Sequence, residues 1–233
     1  MPEQIELRLD NIRKNVARMG ELVTDMVRQA CESACYSNGQ LAKKVVESDD
    51  LVDGIELEIT RDVIVTTMRH SPVAKDLLFL SATLGVIGEL EKAGDDAAKL
   101  ARRVAKLSGS FPVELRTPLM ELGEEVRVMF ARVLRLYLDY DDALAQEIID
   151  QDQEIDRLYK HARAELIQRM SEDPEQARQL MRSTSVFHAL EHIADHSVEI
   201  AKRLQLYCGG RAAEMFMTEP PPPAPHSTEP ISE

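Results

Sequence analysis

Six side chains that can carry protons or bind metal crowd into one short stretch, His188, Glu191, His192, Asp195, His196 and Glu199. Their spacings of three and four place them on one side of a helix. Three other segments repeat an acid-x-x-x-Asp spacing: Asp49 with Asp53, Glu91 with Asp95, and Asp152 with Asp156. Carboxylates one helical turn apart are either a solvated face or a cation site. Oxygen-rich sets suit magnesium, manganese, iron or calcium, and imidazoles such as His192 and His196 widen the choice to zinc or ferrous iron. Ion pairing with Lys92, Lys99 or Arg157 is the alternative use of the same acids.

Other chemistry finds little support. His192-Ile-Ala-Asp-His196 has the two-histidine spacing of a zinc peptidase, but Ile193 stands where the general-base glutamate belongs. No Glu-x-x-His of a ferritin-like di-iron site occurs, and neither does a GxxxxGK[ST], GxGxxG or GxSxG motif. Catalysis has no visible machinery.

Long helices must position these acids. From Glu3 to Tyr36 apolar residues recur at three and four (Ile5, Leu9, Ile12, Val16, Met19, Leu22, Val23, Met26, Val27, Ala30), and Ser37-Asn38-Gly39 stops the pattern. A second helix is expected over 41–69, before His70-Ser71-Pro72, and a third from near Pro72 to Leu107, broken by Ser108-Gly109-Ser110-Phe111-Pro112. The scheme restarts with helices over 113–138 and 142–170 and a sixth from the Pro174 turn to Gly209-Gly210. No stretch alternates with a period of two, so no sheet is expected. Rods this long joined by short turns imply antiparallel bundles.

The two halves read as copies. Asp49 and Asp152 are 103 residues apart and Glu91 and Glu191 are 100 apart. The expected architecture is all-α: two tandem antiparallel three-helix bundles over 1–109 and 110–210, then a disordered Pro-rich tail over 211–233. Register brings the acids together. Residues 51 and 93, the midpoints of the first two pairs, lie about 20 residues before and 21 after the Ser71-Pro72 turn. In the second half the midpoints 154 and 193 lie about 18 before and 20 after a turn near 172–173, a mismatch of roughly 3 Å at about 1.5 Å per residue. Each hairpin therefore brings four carboxylates to one level. Glu91 also falls in a row with Leu77, Leu84, Ala98 and Ala105 at seven-residue spacing, as if interrupting an apolar seam.

Composition narrows the partners. A net charge of −13 over 233 residues argues against nucleic acid, which demands a basic surface. No run is apolar enough to span a bilayer and the acidic opening is not a signal peptide, so a cytoplasmic location is expected. Cys31, Cys35 and Cys208, odd in number and without a CxxC spacing, read as reduced core or boundary thiols.

Met19-Gly-Glu-Leu-Val23, Pro72-Val-Ala-Lys-Asp-Leu77, and the pair Glu91-Lys-Ala-Gly-Asp95 and Glu191-His-Ile-Ala-Asp195, which match the motif E-R-[IV]-G-D, together carry a likeness: the chain resembles the PhoU family of phosphate-uptake regulators. Lys92 and His192 replace the usual arginine, Ala194 replaces the usual glycine, and Leu78 stands where an arginine commonly follows. The resemblance implies metal ligation by Asp49, Asp53, Glu91, Asp95, Asp152, Asp156, Glu191 and Asp195, with His192 a candidate addition. The ions implied are divalent or ferric: iron, zinc, manganese or magnesium. The long helices offer extended faces for a homodimer, and the resemblance further implies a non-enzymatic negative regulator of phosphate uptake and starvation signalling. Its partners would be a phosphate ABC-transporter ATPase, a phosphate-responsive sensor histidine kinase or a sodium-phosphate cotransporter. Two competing readings use the same residues: a metal-dependent hydrolase or oxidase, and a metal-storing or structural bundle.

Overall fold

The computed structural model describes residues 2–105 and 111–210. The expected Ser108-Gly109-Ser110 break, the boundary between residues 109 and 110, and the proline-rich tail over 211–233 lie outside the described residues. Six helices carry nearly all the rest: α1 (Pro2–Tyr36), α2 (Gly39–His70), α3 (Ala74–Ala105), α4 (Arg116–Leu138), α5 (Asp142–Glu172) and α6 (Ala177–Cys208). A single 3₁₀ turn, Val113–Leu115, leads into α4, and there is no strand among the described residues.

Local chemistry sets the ends. Ser37 takes a left-handed φ of 52°, and the Asn38 side chain then accepts a 3.1 Å hydrogen bond from the Leu41 amide, capping α2. Ser71, at φ 45°, ends α2 in the same left-handed way. Asp141 caps α5 by accepting from the Leu144 amide at 2.7 Å. The third helix of each half starts later than its proline suggests, at Ala74 rather than near Pro72 and at Ala177 after Pro174. In both, the proline shapes the turn. Asp173 satisfies the second turn by accepting from the Glu175 amide at 3.1 Å.

Helices α1, α2 and α3 pack on one another, as do α4, α5 and α6, giving two tandem antiparallel three-helix bundles. The α1 periodicity predicts its core well: Leu9, Ile12, Val16, Met19, Val23, Met26, Val27 and Ala30 are buried. The halves then dock along two lines, α1 on α4 and α3 on α6, and their buried side chains merge into one core. Small residues permit this approach. A methyl group on Gly20 would overlap the Leu134 side chain, and one on Gly123 would lie 2.7 Å from the Cys31 sulfur. Across the same joint Thr83 and Tyr137 share a 2.9 Å hydroxyl hydrogen bond.

One expectation fails. Leu77 and Leu84 are 44% and 41% exposed, so the row 77–84–91–98–105 is not an apolar seam. Seven residues fall about 20° short of two full helical turns, so a strict heptad row drifts around a straight helix, here from solvent at Leu77 to core at Ala98. The thiols match expectation: Cys31, Cys35 and Cys208 are free, and burial pushes Cys31 up to about 12 and Cys35 to about 11.

Candidate metal centre

The register argument places two acidic faces on the outside of the hairpins. On the first, α2 supplies Asp49 and Asp53 and α3 supplies Glu91 and Asp95. Half-buried Glu91 is raised above its ordinary pKa by desolvation and by the charges of Glu56, Asp53, Asp95 and Asp49, so the level carboxylates lie near enough to feel one another's charge. Asp49 is raised as well, again mainly by burial and despite Arg102, whose Nη2 donates to it at 2.8 Å. Asp95 pairs with Lys99 at 2.7 Å and lies 3.8 Å from Arg102.

The second face repeats the first with fewer counter-ions. On it, α5 supplies Asp152 and Asp156 and α6 supplies Glu191 and Asp195. Asp152, Glu191 and Asp195 are all raised, chiefly by burial and then by one another or by Asp156, while His188 and His192 pull Glu191 down and His192 and His196 pull Asp195 down. Asp156 pairs with Lys160 at 2.5 Å. Among the described residues no ion pair reaches Asp152, Glu191 or Asp195.

Of the three basic residues expected to neutralise these acids, only Lys99 does so. Lys92 donates instead to Glu89 at 3.1 Å, and Arg157 turns to Glu154 on its own helix at 2.5 Å. Carboxylates held above their ordinary pKa by burial, with the charge of neighbouring acids adding to it, are what an added cation would relieve. The four carboxylates of each face are donors of the kind a hard or borderline metal takes, but among the described residues no three of them bring their ligand atoms within 4.8 Å of one another.

Between the two faces lies a third cluster, at the seam where α3 meets α6. Glu89, only 6% exposed, accepts from Lys92 at 3.1 Å and from Arg203 at 3.2 Å, and its other oxygen lies 2.9 Å from His196 Nδ1. Asp96 Oδ2 lies 3.5 Å from both His196 Nε2 and His192 Nδ1. Here the shifts reverse. Burial works against the Glu89 carboxylate, yet His196 and Lys92 outweigh it and hold it below its usual range. Asp96 is held lower still by His196, with Lys99 adding to the effect against burial. Burial favours a neutral His196, but Asp96 and Glu89 raise it above its ordinary value.

His192, assigned from sequence to the second acidic face, thus stands at the edge of that face with a ring nitrogen turned to Asp96 across the seam. The other eight candidate residues lie on the outer faces. Glu89, Asp96, Arg102 and Arg203 were missed. The internal repeat held a signal for one of them: Asp96 lies 100 residues before His196, so the two occupy the same place in the two copies. Equivalent positions meet at a two-fold-like joint. The same symmetry sets Arg103 donating to the Ser185 carbonyl at 3.2 Å while Arg203 lies over Gly85, where a methyl group would come within 2.9 Å of its Cδ.

The PhoU domain model matches residues 16–104 and 119–204. A phosphate-specific transport system accessory protein PhoU homologue from Pseudomonas aeruginosa is 32% identical over 206 residues, covering 86% of this chain and 83% of its own. Its counterpart from Rhizobium meliloti is 30% identical over 203 residues, covering 87% and 86%. The crystal structure of PhoU from Pseudomonas aeruginosa superposes with a TM-score of 0.78 at 27% identity, covering 88% of this chain and 99% of the other. A PhoU structure from Streptococcus pneumoniae, at 22% identity, shares the fold with a TM-score of 0.80 over 88% and 97%.

Proposed function

The chain belongs to the PhoU family, and from that premise we propose that it restrains phosphate uptake and phosphate-starvation signalling by protein contact. It is a regulator rather than an enzyme, as the family is. The partners that suit it are the ATPase of a phosphate ABC transporter, a phosphate-responsive sensor histidine kinase or a sodium-phosphate cotransporter. No described helix is long and apolar enough to cross a membrane, so contact with a transporter would be made at a soluble surface. A cytoplasmic location and a homodimer complete this reading.

The observation that carries it is the pair of outer carboxylate faces, each with acids raised by burial and then by the charge of neighbouring acids. Such faces can bind metal, or they can be neutralised by basic side chains of a partner. Either use relieves the same repulsion. Metal on the faces would involve Asp49, Asp53, Glu91 and Asp95 on one side and Asp152, Asp156, Glu191 and Asp195 on the other.

Co-purification from membranes tests the contact. We expect the chain to retain a transporter or kinase component in one phosphate condition and to lose it on reversing the faces with Asp53→Lys and Asp156→Lys. Retention of no such component at any phosphate level would count strongly against the reading.

A further inference from the structure

Among the described residues, one group of three His, Cys, Asp or Glu side chains has its ligand atoms all within 4.8 Å of one another: Asp96, His192 and His196. We propose that this seam is a binding site for a single borderline divalent transition ion of the zinc class, held by His196 Nε2, a His192 nitrogen and the Asp96 carboxylate. None of the three belongs to the acid-x-x-x-Asp pairs. The site draws one donor from the first half and two from the second, so it is independent of the outer faces and of the partner reading.

The observation that points to a ligand is the state of His196. Its Nδ1 sits 2.9 Å from a Glu89 oxygen, and an ionised carboxylate can only accept, so that nitrogen carries the hydrogen. Glu89 is itself pinned by Arg203 and Lys92. The ring is therefore fixed with its other nitrogen turned inward. That atom, Nε2, is buried and makes no hydrogen bond; Asp96 lies 3.5 Å away. A carboxylate holding the far nitrogen of a histidine whose near nitrogen is buried and unpaired is the arrangement that orients imidazole ligands in metal sites. Two imidazoles and one carboxylate suit zinc and its neighbours better than magnesium or calcium. His192, 56% exposed, leaves the outer side of the site open to water as the remaining ligand.

An ion here would act as a staple. It would tie α3 of the first bundle to α6 of the second at neighbours of both outer faces, Asp96 beside Asp95 and His192 beside Glu191. The setting of one face relative to the other would then depend on occupancy. The competing arrangement is a protonated His196 bridging Glu89 and Asp96 with no metal.

The test uses the full chain without a tag, stripped by chelator, in a background where Asp49→Asn, Glu91→Gln, Asp152→Asn and Glu191→Gln silence the outer faces. Zinc is titrated against a chromogenic competitor, and cobalt serves as a spectroscopic probe of nitrogen ligation. We expect one zinc per chain, bound about 100-fold more weakly after His192→Ala or Asp96→Asn, and about 10- to 100-fold more weakly after Glu89→Gln, which removes only the support. The cobalt spectrum should be lost in His192→Ala. Because His192 is largely exposed, that variant separates loss of a ligand from loss of fold. No bound zinc in the background, or unchanged affinity in His192→Ala, overturns the proposal in favour of the protonated bridge.

Discussion

The outer faces and the seam use the same side chains to opposite ends. Asp49, Glu91, Asp152, Glu191 and Asp195 face other acids and are held above their ordinary pKa, whereas Glu89 and Asp96, less than two turns away on α3, face His196, Lys92 and Lys99 and are held below it. Burial opposes charge in both places; the neighbours decide the sign. Without metal, the seam acids meet basic partners within the chain, whereas on the second outer face Asp152, Glu191 and Asp195 have no such pair among the described residues. A carboxylate row on a helix therefore says little about its role until the opposing element is known.

Removing support from the seam should have the largest effect. Glu89→Ala leaves His196, Arg203 and Lys92 without their shared carboxylate, and we expect a loss of about 3 kcal/mol in urea unfolding. That is the low end for a broken buried ion pair, since Arg203 and Lys92 keep access to water. Gly20→Val, which drives a side chain into Leu134 where α1 meets α4, should cost about 1–3 kcal/mol and loosen the docking of the halves without touching a charge. Should Glu89→Ala prove milder than Gly20→Val, the seam would be held by packing and its ion pairs would be incidental.

The pH dependence of the metal-free chain in chelator sharpens the contrast. Asp96 has a depressed pKa, so its contribution is present above the unfolded value of about 4 and is lost as pH falls through the folded value. His196 has a raised pKa, so its contribution is present below about 6.5 and is lost as pH rises through the folded value. Asp96→Asn should therefore cost most between about pH 4 and 6.5 and less on either side. The outer faces run the other way. Glu91, raised in the fold, destabilises progressively as pH climbs above its unfolded value, so Glu91→Gln should raise the melting temperature of the stripped protein at neutral pH by about 1–2 °C and leave it unchanged below about pH 4. A lower melting temperature in Glu91→Gln at neutral pH would mean that this carboxylate is satisfied within the chain.

The outer faces were legible from sequence because an antiparallel hairpin fixes height by counting. Asp49, Asp53, Glu91 and Asp95 had to fall level once the Ser71-Pro72 turn was recognised, and Glu91 senses all three of the others. The helices were legible for a similar reason, since the α1 apolar positions became its buried stripe. The seam was not. Which α3 residues meet which α6 residues depends on how the two bundles dock, and no turn connects those helices to set a register. Asp96 sits next to Asp95 in the chain yet about 100° around the helix, and so on another face. The heptad row through Leu77 and Leu84 misled because it treated a straight helix as a supercoiled one.

The central distinction is between acids that lie among other acids on the outer faces and acids that are paired with basic groups at the seam. Metal per chain, measured by mass spectrometry on tag-free protein beside the double variant Glu91→Gln/Glu191→Gln, tests it most directly. We expect the variant to carry less metal than the wild type and, once both are stripped, to melt at a higher temperature. Equal metal content in the two, with no gain in melting temperature, would show the outer carboxylates to be ordinary solvated charge and would contradict the distinction.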